Sequence, residues 1–189
     1  MTYNASQGKP AYAAIINRLD RPVSGLVLIA KNKSAAAKYS TLMQKEGGFN
    51  KQYEALICGK LSELKGTFVD YLKKDGRTNT SAIVPADAAA NDKEAKLSKL
   101  EYEVISYDEV KDITHVRIHL ITGRHHEIRV QFASRRHPLV GDYKYATAYC
   151  GMDNAVKAVA LKRNQIALCA VSLTIDNKTF SVTPDFVIN

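Results

Sequence analysis

The sequence contains few cysteines, no long hydrophobic run and no leader-like start. Its three cysteines, Cys58, Cys150 and Cys169, are an odd number at wide spacing, which indicates neither a disulfide framework nor a paired metal-ligand motif. Each is expected to be a small buried side chain. The longest apolar stretches fall far short of the roughly 20 residues that a membrane span needs. The first residues lack the charged and apolar segments of a signal peptide. We therefore expect a cytoplasmic protein without a membrane segment.

The composition indicates one soluble globular domain over residues 1–189. With 46% hydrophobic residues, the chain can bury a substantial core. The formal net charge is +8, and a basic excess of this size favours an anionic partner, which for a cytoplasmic protein usually means nucleic acid. A solvated basic surface without such a partner explains the charge alone about equally well.

The segment that organises the chain is residues 17–25, which read Asn-Arg-Leu-Asp-Arg-Pro-Val-Ser-Gly. One carboxylate, Asp20, lies between Arg18 and Arg21. The stretch cannot be regular, because proline lacks an amide donor and glycine tolerates unusual backbone conformations. The apolar run Leu26–Ala30 follows and predicts a strand buried on both faces. A loop clamped to such a strand is a rigid place for a reactive acid.

This segment resembles the signature of the RluA-type pseudouridine synthases, which reads His-Arg-Leu-Asp-Arg, two variable residues, Ser-Gly-Leu and an apolar strand. The resemblance implies that Asp20 is the catalytic residue. It also implies that Arg18 and Arg21 contact the substrate, with Arg18 filling the space that a flipped base vacates. The pattern departs from the family at Asn17, where the family usually has histidine.

Later blocks resemble the same family in the same order, so that the likeness extends over residues 16–186. Residues 51–59 read Lys-Gln-Tyr-Glu-Ala-Leu-Ile-Cys-Gly, and the resemblance places Tyr53 against the target base as a catalytic residue. For a single strand tyrosine, packing in the core is the ordinary explanation. Residues 137–142, His-Pro-Leu-Val-Gly-Asp, resemble a structural turn of the family. The closing segment matches except at Cys169, where histidine is usual.

The block at residues 122–129 reads Thr-Gly-Arg-His-His-Glu-Ile-Arg and resembles the family's Thr-Gly-Arg-Thr-His-Gln-Ile-Arg. The resemblance implies that Arg124 is catalytic and forms a salt bridge with Asp20. Such a guanidinium would orient the carboxylate for attack. Three further positions of the block are implied to bind the substrate: His126, Ile128 and Arg129.

His125 and Glu127 depart from the threonine and glutamine usual in the family, and these departures affect the hydrogen bonding around the site. Together with His119 and His126, they offer a competing interpretation as a metal site. Adjacent histidines point in different directions, and the spacing of two histidines beside a glutamate base is absent. We therefore expect no metal. A surface cluster of histidine and arginine is the ordinary structural explanation.

The periodicity predicts an α+β fold with a central mixed, mostly antiparallel sheet flanked by helices. A helix is expected from Asn32 to Gly47-Gly48, and another after Gly123, where strand and helix spacing are both present and we favour the helix. Residues 78–96 are small, polar and alanine-rich, and they predict a loose connection. Strands are expected at 51–59, 67–72, 100–104, 116–120 after a turn at 108–112, 166–175 and 180–183.

The resemblance implies that the chain isomerises specific uridines of ribosomal or transfer RNA to pseudouridine. The reaction breaks a nitrogen–carbon glycosidic bond and forms a carbon–carbon bond without net redox change, so no cofactor is expected. One nucleophilic carboxylate suffices, whereas a glycoside hydrolase would use two carboxylates in divided roles. Attack on the ribose and attack on the uracil ring are both compatible with the sequence.

Two alternatives come from other functional classes. A non-catalytic RNA-binding protein would keep the fold, and the departures from the family at Asn17, Glu127 and Cys169 favour it. An RNA-cleaving enzyme that uses the histidine cluster is the other. Family members usually carry a strand before the Asp20 loop and often a small RNA-binding domain, and we expect this chain to lack both. We also expect a monomer without an obligatory protein partner.

Overall fold

The computed structural model describes residues 12–45, 48–150 and 165–186. Strands predominate in it, and three of them are only two residues long. Their bounds are β1 Ala14–Ile15, β2 Ser24–Gly25, β3 Ile29–Ala30, β4 Asn50–Cys58, β5 Lys65–Asp75, β6 Thr80–Val84, β7 Lys96–Asp108, β8 Ile113–Leu120, β9 Leu168–Ile175 and β10 Lys178–Ser181.

A single large sheet contains most of these strands. Seven of them run in the order β10-β9-β4-β8-β7-β5-β6, and the short β2 pairs with β9. Neighbours along this path are antiparallel, whereas β2 and β9 are parallel. The strands β1 and β3 form a separate antiparallel pair. The predicted α+β fold with a central mixed, mostly antiparallel sheet is confirmed.

Four helices accompany the sheet within the described residues: α1 Lys33–Gln44, α2 Ala86–Ala89, α3 Glu127–Ser134 and α4 Tyr143–Cys150. The predicted start of α1 is confirmed, since the Asn32 side chain accepts a 2.8 Å hydrogen bond from the amide of Ala35 and so caps the helix. The helix ends at Gln44, before the predicted Gly47-Gly48. None of the described helices is long and apolar enough to cross a membrane.

The main core lies between the sheet and α3. Ile128 and Phe132 of this helix pack with Phe68, Leu100 and Ile118 of the sheet, and the rings of Phe68 and Phe132 meet edge to face with centroids 5.0 Å apart. Removing such apolar surface from water is the main contribution that holds a helix on a sheet. The position of α3 is therefore fixed, together with its buried polar residues Glu127, Arg129 and Gln131.

Two expectations about local structure are wrong. The run Leu26–Ala30 is not a strand buried on both faces, because only Ile29–Ala30 is a strand and the side chains of Val27 and Ile29 are exposed. Residues 78–96 are not a loose connection, because they contain β6 and α2. As an edge strand, β6 pairs on one side only, and its one buried position is Ser81. It therefore lacks the apolar alternation by which a strand is recognised.

Residues 17–25, here called the Asp20 loop, are attached to the sheet at their C-terminal end. Gly25 lies opposite Ala170 in the parallel β2–β9 pairing, and the amide of Leu26 donates to the Ala170 carbonyl at 3.0 Å. Gly25 has a φ of +121°, and a Cβ built there would lie 2.4 Å from the Ala170 carbonyl oxygen. Only glycine meets both requirements, so the attachment depends on this residue.

We expect Gly25→Ala to lower the free energy of unfolding by about 1–3 kcal/mol, because the new Cβ requires a strained backbone and displaces the strand beside it. Urea denaturation followed by circular dichroism measures the change. Gly76→Ala is the matched control, since a Cβ at Gly76 meets no atom within 4 Å. An equal effect of the two substitutions would show that the β2–β9 attachment is unimportant.

Candidate active site

The Asp20 loop is held by hydrogen bonds from both of its ends. The Asn17 side chain donates to the Leu26 carbonyl at 3.1 Å and accepts from the Leu28 amide at 2.6 Å, so it completes the β1–β3 pairing as a backbone peptide would. The Pro22 carbonyl accepts from the amide of Ile166 at 3.0 Å. Asn17, which departs from the family's histidine, therefore has a structural role that its amide fulfils on both sides.

The Asp20 carboxylate faces two donors on α3 and its N-terminal turn. Arg129 Nη1 lies 3.2 Å from Asp20 Oδ2, and His126 Nε2 lies 3.5 Å from the same oxygen. Within the described part of the chain, no donor reaches Asp20 Oδ1. The side chain of Asp20 is 29% exposed, whereas those of His126 and Arg129 are 6% and 7% exposed. The carboxylate thus lies at the boundary between a buried donor pair and an open space.

Arg129 is fixed by a second carboxylate behind it. Its Nε and Nη2 donate to the two oxygens of Asp142 at 2.7 and 2.8 Å, and the Asp142 side chain is only 1% exposed. Burial acts to lower the pKa of Arg129, but Asp142 and then Asp20 outweigh it and raise the pKa above its ordinary value. A two-point guanidinium–carboxylate pair also fixes orientation. Arg129 therefore presents its remaining nitrogen, Nη1, to Asp20.

The predicted Arg124–Asp20 salt bridge is wrong. Arg124 is exposed, and its Nε donates to the Leu97 carbonyl at 2.8 Å, while the cation beside Asp20 is Arg129. The physical reason is the position of α3, which begins at Glu127. Arg129 therefore lies in its first turn, on the side that faces the Asp20 loop, whereas Arg124 precedes the helix. Arg124 still lines the cavity next to Asp20.

That cavity has a volume of about 280 Å³, and the predicted residues divide around it. Arg21 is exposed and lies outside this cavity, in a neighbouring groove. Arg18 lines both the groove and the cavity. The predicted residues that line the cavity are Arg18, Asp20, Tyr53, Arg124, His126, Ile128 and Arg129.

Tyr53 lies on β4 opposite Ile118 of β8 and packs against the main core. Burial, and secondly the charge of Asp20, raises the pKa of its hydroxyl to about 12, so the phenol is neutral at physiological pH. The ring lines the cavity beside Asp20. Tyr53 therefore offers a neutral aromatic wall to whatever approaches the carboxylate.

Glu127 holds the loop between β8 and α3. Its carboxylate accepts hydrogen bonds from the amide of Arg124 at 2.6 Å, the amide of Lys99 at 3.1 Å and the hydroxyl of Thr122. Burial raises its pKa despite these bonds. Lys51 donates to the Thr122 carbonyl at 3.1 Å, and burial lowers the pKa of its ammonium group. The departure from the family at Glu127 thus supplies a side-chain acceptor that organises this loop.

The side chains of the competing metal-site interpretation do not meet at one point. The imidazole of His119 faces Glu101 at 3.3 Å, while the Glu127 carboxylate binds the loop described above. On the same strand as His119, His115 and Arg117 pair with Glu54. No group of three or more histidine, cysteine, aspartate or glutamate side chains within the described ranges is arranged to hold a metal ion.

The cysteines follow the expected burial in part. Cys58 and Cys169 are buried, and Cys150 is half-buried. Cys169, which departs from the family's histidine, packs with Leu56 and Val171, and burial raises the pKa of its thiol. It is therefore a small buried side chain of β9, the strand to which the Asp20 loop is attached.

Sequence reasoning misses several residues of the site. Asp142 falls in a segment predicted to be a structural turn, and nothing in that turn indicates that its side chain points to Arg129. Ser81 lies in the segment predicted to be a loose connection, and Tyr145 belongs to no motif. The spacing of three residues from Asp142 to Tyr145 is the one local signal, since Asp142 immediately precedes α4 and Tyr145 lies in the first turn of that helix.

Comparisons with known proteins show the family to which this chain is related. The family model for RNA pseudouridylate synthase matches residues 1–134. The Ribosomal large subunit pseudouridine synthase D of Blochmanniella floridana is 36% identical over 135 residues, which cover 70% of this chain and 38% of that protein. The protein of the same name from Vibrio vulnificus is 30% identical over 168 residues, or 87% and 48% of the two chains. The chain thus spans less than half the length of these relatives.

Two solved structures share the fold. Human RNA Pseudouridylate Synthase Domain Containing 1 has a TM-score of 0.69 at 24% identity and covers 92% of this chain and 69% of its own. Human RNA Pseudouridylate Synthase Domain Containing 4 has a TM-score of 0.71 at 17% identity, with coverage of 94% and 73%. With a family model that matches more than half of its residues, and with the RluA-type resemblance confirmed, this chain belongs to the RNA pseudouridylate synthase family.

Proposed function

We propose that this chain isomerises uridine to pseudouridine in RNA, with Asp20 as the nucleophile. The observation that carries the proposal is the single carboxylate at the mouth of a cavity, held through one oxygen by Arg129 and faced by the ring of Tyr53. The reaction breaks the bond between the ribose and a ring nitrogen of uracil, which takes up a proton, and joins the ribose to a ring carbon, which releases its proton, so that the atoms balance. Electrons balance without a redox partner or a diffusible cofactor.

The fixed charge arrangement supports a nucleophilic role. Arg129 and His126 both face Asp20 Oδ2, so Oδ1 is the oxygen available for bond formation with the ribose or the ring. Donors that are in place before reaction stabilise developing charge without reorganisation. The ring of Tyr53 supplies a stacking surface for a base that has left its helix, and such bases commonly stack on aromatic side chains.

The proposed substrate contacts lie in the cavity and in the groove next to it. Arg18 and Arg124 bring positive charge to its rim, and Ile128 gives it an apolar floor. The net charge of +8 favours association with a polyanion. We propose ribosomal or transfer RNA as the substrate, contacted by Arg18, Arg21, His126, Ile128 and Arg129, and a cytoplasmic monomer that needs no protein partner.

A second candidate is a non-catalytic RNA-binding protein that keeps the fold. The exposed basic residues around the cavity favour it, because electrostatic contacts to phosphates alone support binding. The two candidates differ in one measurable property, the release of ring hydrogen from RNA.

We expect Asp20→Asn to abolish hydrogen release from RNA whose uracils carry tritium at the ring carbon that becomes the new glycosidic atom. The amide keeps the shape of the carboxylate but is a poor nucleophile. RNA binding, measured by filter retention, should stay within a few-fold of the wild type. Release by the wild type alone supports the synthase, whereas equal binding without release by either protein supports the RNA-binding alternative.

Arg129→Lys should reduce kcat by roughly 100-fold, because a lysine cannot bind Asp142 at two points and present a third donor to Asp20. The matched variant Arg124→Lys should reduce kcat by no more than about fivefold, since Arg124 pairs with neither carboxylate. Tritium release under saturating RNA compares the two. A larger loss from Arg124→Lys than from Arg129→Lys would return the ion-pair role to Arg124.

Tyr53→Phe should change kcat by less than about threefold, because no described side chain bonds the hydroxyl and the stacking surface remains. Tyr53→Ala removes that surface, and the expected loss in kcat/KM is roughly 10- to 100-fold. The same tritium assay measures both. If the two variants behave alike, stacking is not the role of Tyr53.

A further inference from the structure

A chain of polar groups leads from the edge strand β6 to the catalytic carboxylate. The backbone amide of Ser81 donates to the Tyr145 hydroxyl at 2.9 Å, and that hydroxyl lies 2.7 Å from His126 Nδ1. The other ring nitrogen of His126, Nε2, lies 3.5 Å from Asp20 Oδ2. Ser81, Tyr145 and His126 are all buried. Water therefore does not compete for the contacts among them.

The direction of the hydrogen bonds follows from the groups at the two ends of this chain. A peptide amide can only donate, so the Tyr145 oxygen accepts from Ser81, and its own hydrogen is available for His126 Nδ1. A carboxylate can only accept, so a bare Nε2 would place two lone pairs against each other. A neutral imidazole carries one proton, and every group is satisfied only when that proton is on Nε2.

The ring of His126 is neutral at physiological pH. Burial, and then the positive charge of Arg129, lowers its pKa to about 3. The other charged or titratable groups that act on the ring are His125, Lys144, Lys74 and Asp20, and the three named first also disfavour a second proton. Protonation of His126 would therefore start only well below neutral pH.

Neighbouring contacts also fix the plane of the His126 ring. The ring of His125 stacks on it with centroids 3.7 Å apart, and His125 Nδ1 lies 2.9 Å from the Ser81 hydroxyl. The backbone of His126 has a φ of +55°, which is uncommon for any residue other than glycine. A side chain with two bonded neighbours and a strained backbone has few alternatives, and such strain is concentrated at functional sites.

We propose that Ser81 and Tyr145 are positioning residues for the reaction, and that through His126 they present a neutral N–H donor to Oδ2 of Asp20. The inference rests on the proposed function, since it assigns a role around the same nucleophile. Arg129 supplies a charged donor to this oxygen and His126 a neutral one, so that Oδ1 is directed into the cavity. The 3.5 Å separation between Nε2 and Oδ2 is longer than a good hydrogen bond, and such contacts commonly shorten when substrate binds.

The relay is tested first without any turnover. Tyr145→Phe removes the hydroxyl that donates to His126 Nδ1, and the ¹⁵N resonance of that nitrogen should move toward the value of an unbonded imidazole nitrogen. In the wild type the signals of a neutral ring should persist from about pH 5 to pH 8. The matched control is Tyr149→Phe, one turn further along α4, whose ring lies against Tyr145. A Tyr145→Phe spectrum identical to that of the wild type would overturn the relay.

The kinetic test separates positioning from stability. Tyr145→Phe should lower kcat for tritium release by roughly 10- to 100-fold, with KM within a few-fold, because the substitution disturbs the donor to Asp20 and removes no side chain that lines the cavity. Tyr149→Phe should leave both constants unchanged. Urea denaturation of each variant identifies any loss that comes from unfolding. An unchanged kcat in folded Tyr145→Phe would overturn the positioning role.

Two replacements of His126 test whether an N–H donor near the position of Nε2 is enough to retain activity. His126→Gln places an amide near the position of Nε2 and should retain activity to within about tenfold, whereas His126→Asn reaches only the Nδ1 position and should lose more. Equal losses would contradict the donor role. A wild-type protein that releases no tritium would refute the proposed function, and the ¹⁵N signal of His126 would then still decide whether the relay exists.

Discussion

The buried ion pair between Asp142 and Arg129 is the constraint on which the site depends. Taking a guanidinium and a carboxylate out of water costs several kcal/mol per ion before their attraction is counted. The cost is offset because Asp142 accepts from two nitrogens of Arg129 at 2.7 and 2.8 Å. With two of its nitrogens bound, the guanidinium has a fixed direction, and its third nitrogen reaches Asp20. The position of the Asp20 carboxylate is thus set from behind, by a residue that does not touch it.

The sheet explains why residues so distant in sequence meet at this point. The Asp20 loop is attached to β9, which lies next to β4 with Tyr53, and β8 follows on the other side of β4. The helix α3 leaves the end of β8 and packs back over the same strands through Ile128 and Phe132. Arg129 then lies over the face that carries Tyr53. The site is therefore built from a loop, a strand and a helix that pack together on one sheet. Side chains supported in this way keep their positions before a ligand binds.

The sequence predicts which residues line the cavity better than it predicts which side chains bond to one another. The resemblance assigns to the site seven residues that do line the cavity, and the hydrophobic periodicity indicates most strands, because both signals are local. The prediction pairs Asp20 with Arg124 and not with Arg129, since the choice depends on where α3 begins: Arg129 lies in its first turn, whereas Arg124 precedes it. Ser81 is missed because an edge strand with a buried serine has no apolar pattern. The group of Ser81 that contacts Tyr145 is its backbone amide, which no sequence motif identifies.

The same buried charges bear on the choice between an enzyme and a binding protein. Contacts to RNA phosphates need exposed cations, and a surface lysine or arginine supplies them at little cost in stability. Here Arg129 is 7% exposed and Asp142 1%, and both serve to orient a third side chain, Asp20. A hydrophobic pair of similar size would often stabilise such a position equally well or better. Where a fold keeps a buried ion pair, a strained histidine and a carboxylate with one oxygen held, the arrangement favours a function that uses the orientation of that carboxylate, and covalent catalysis is such a function.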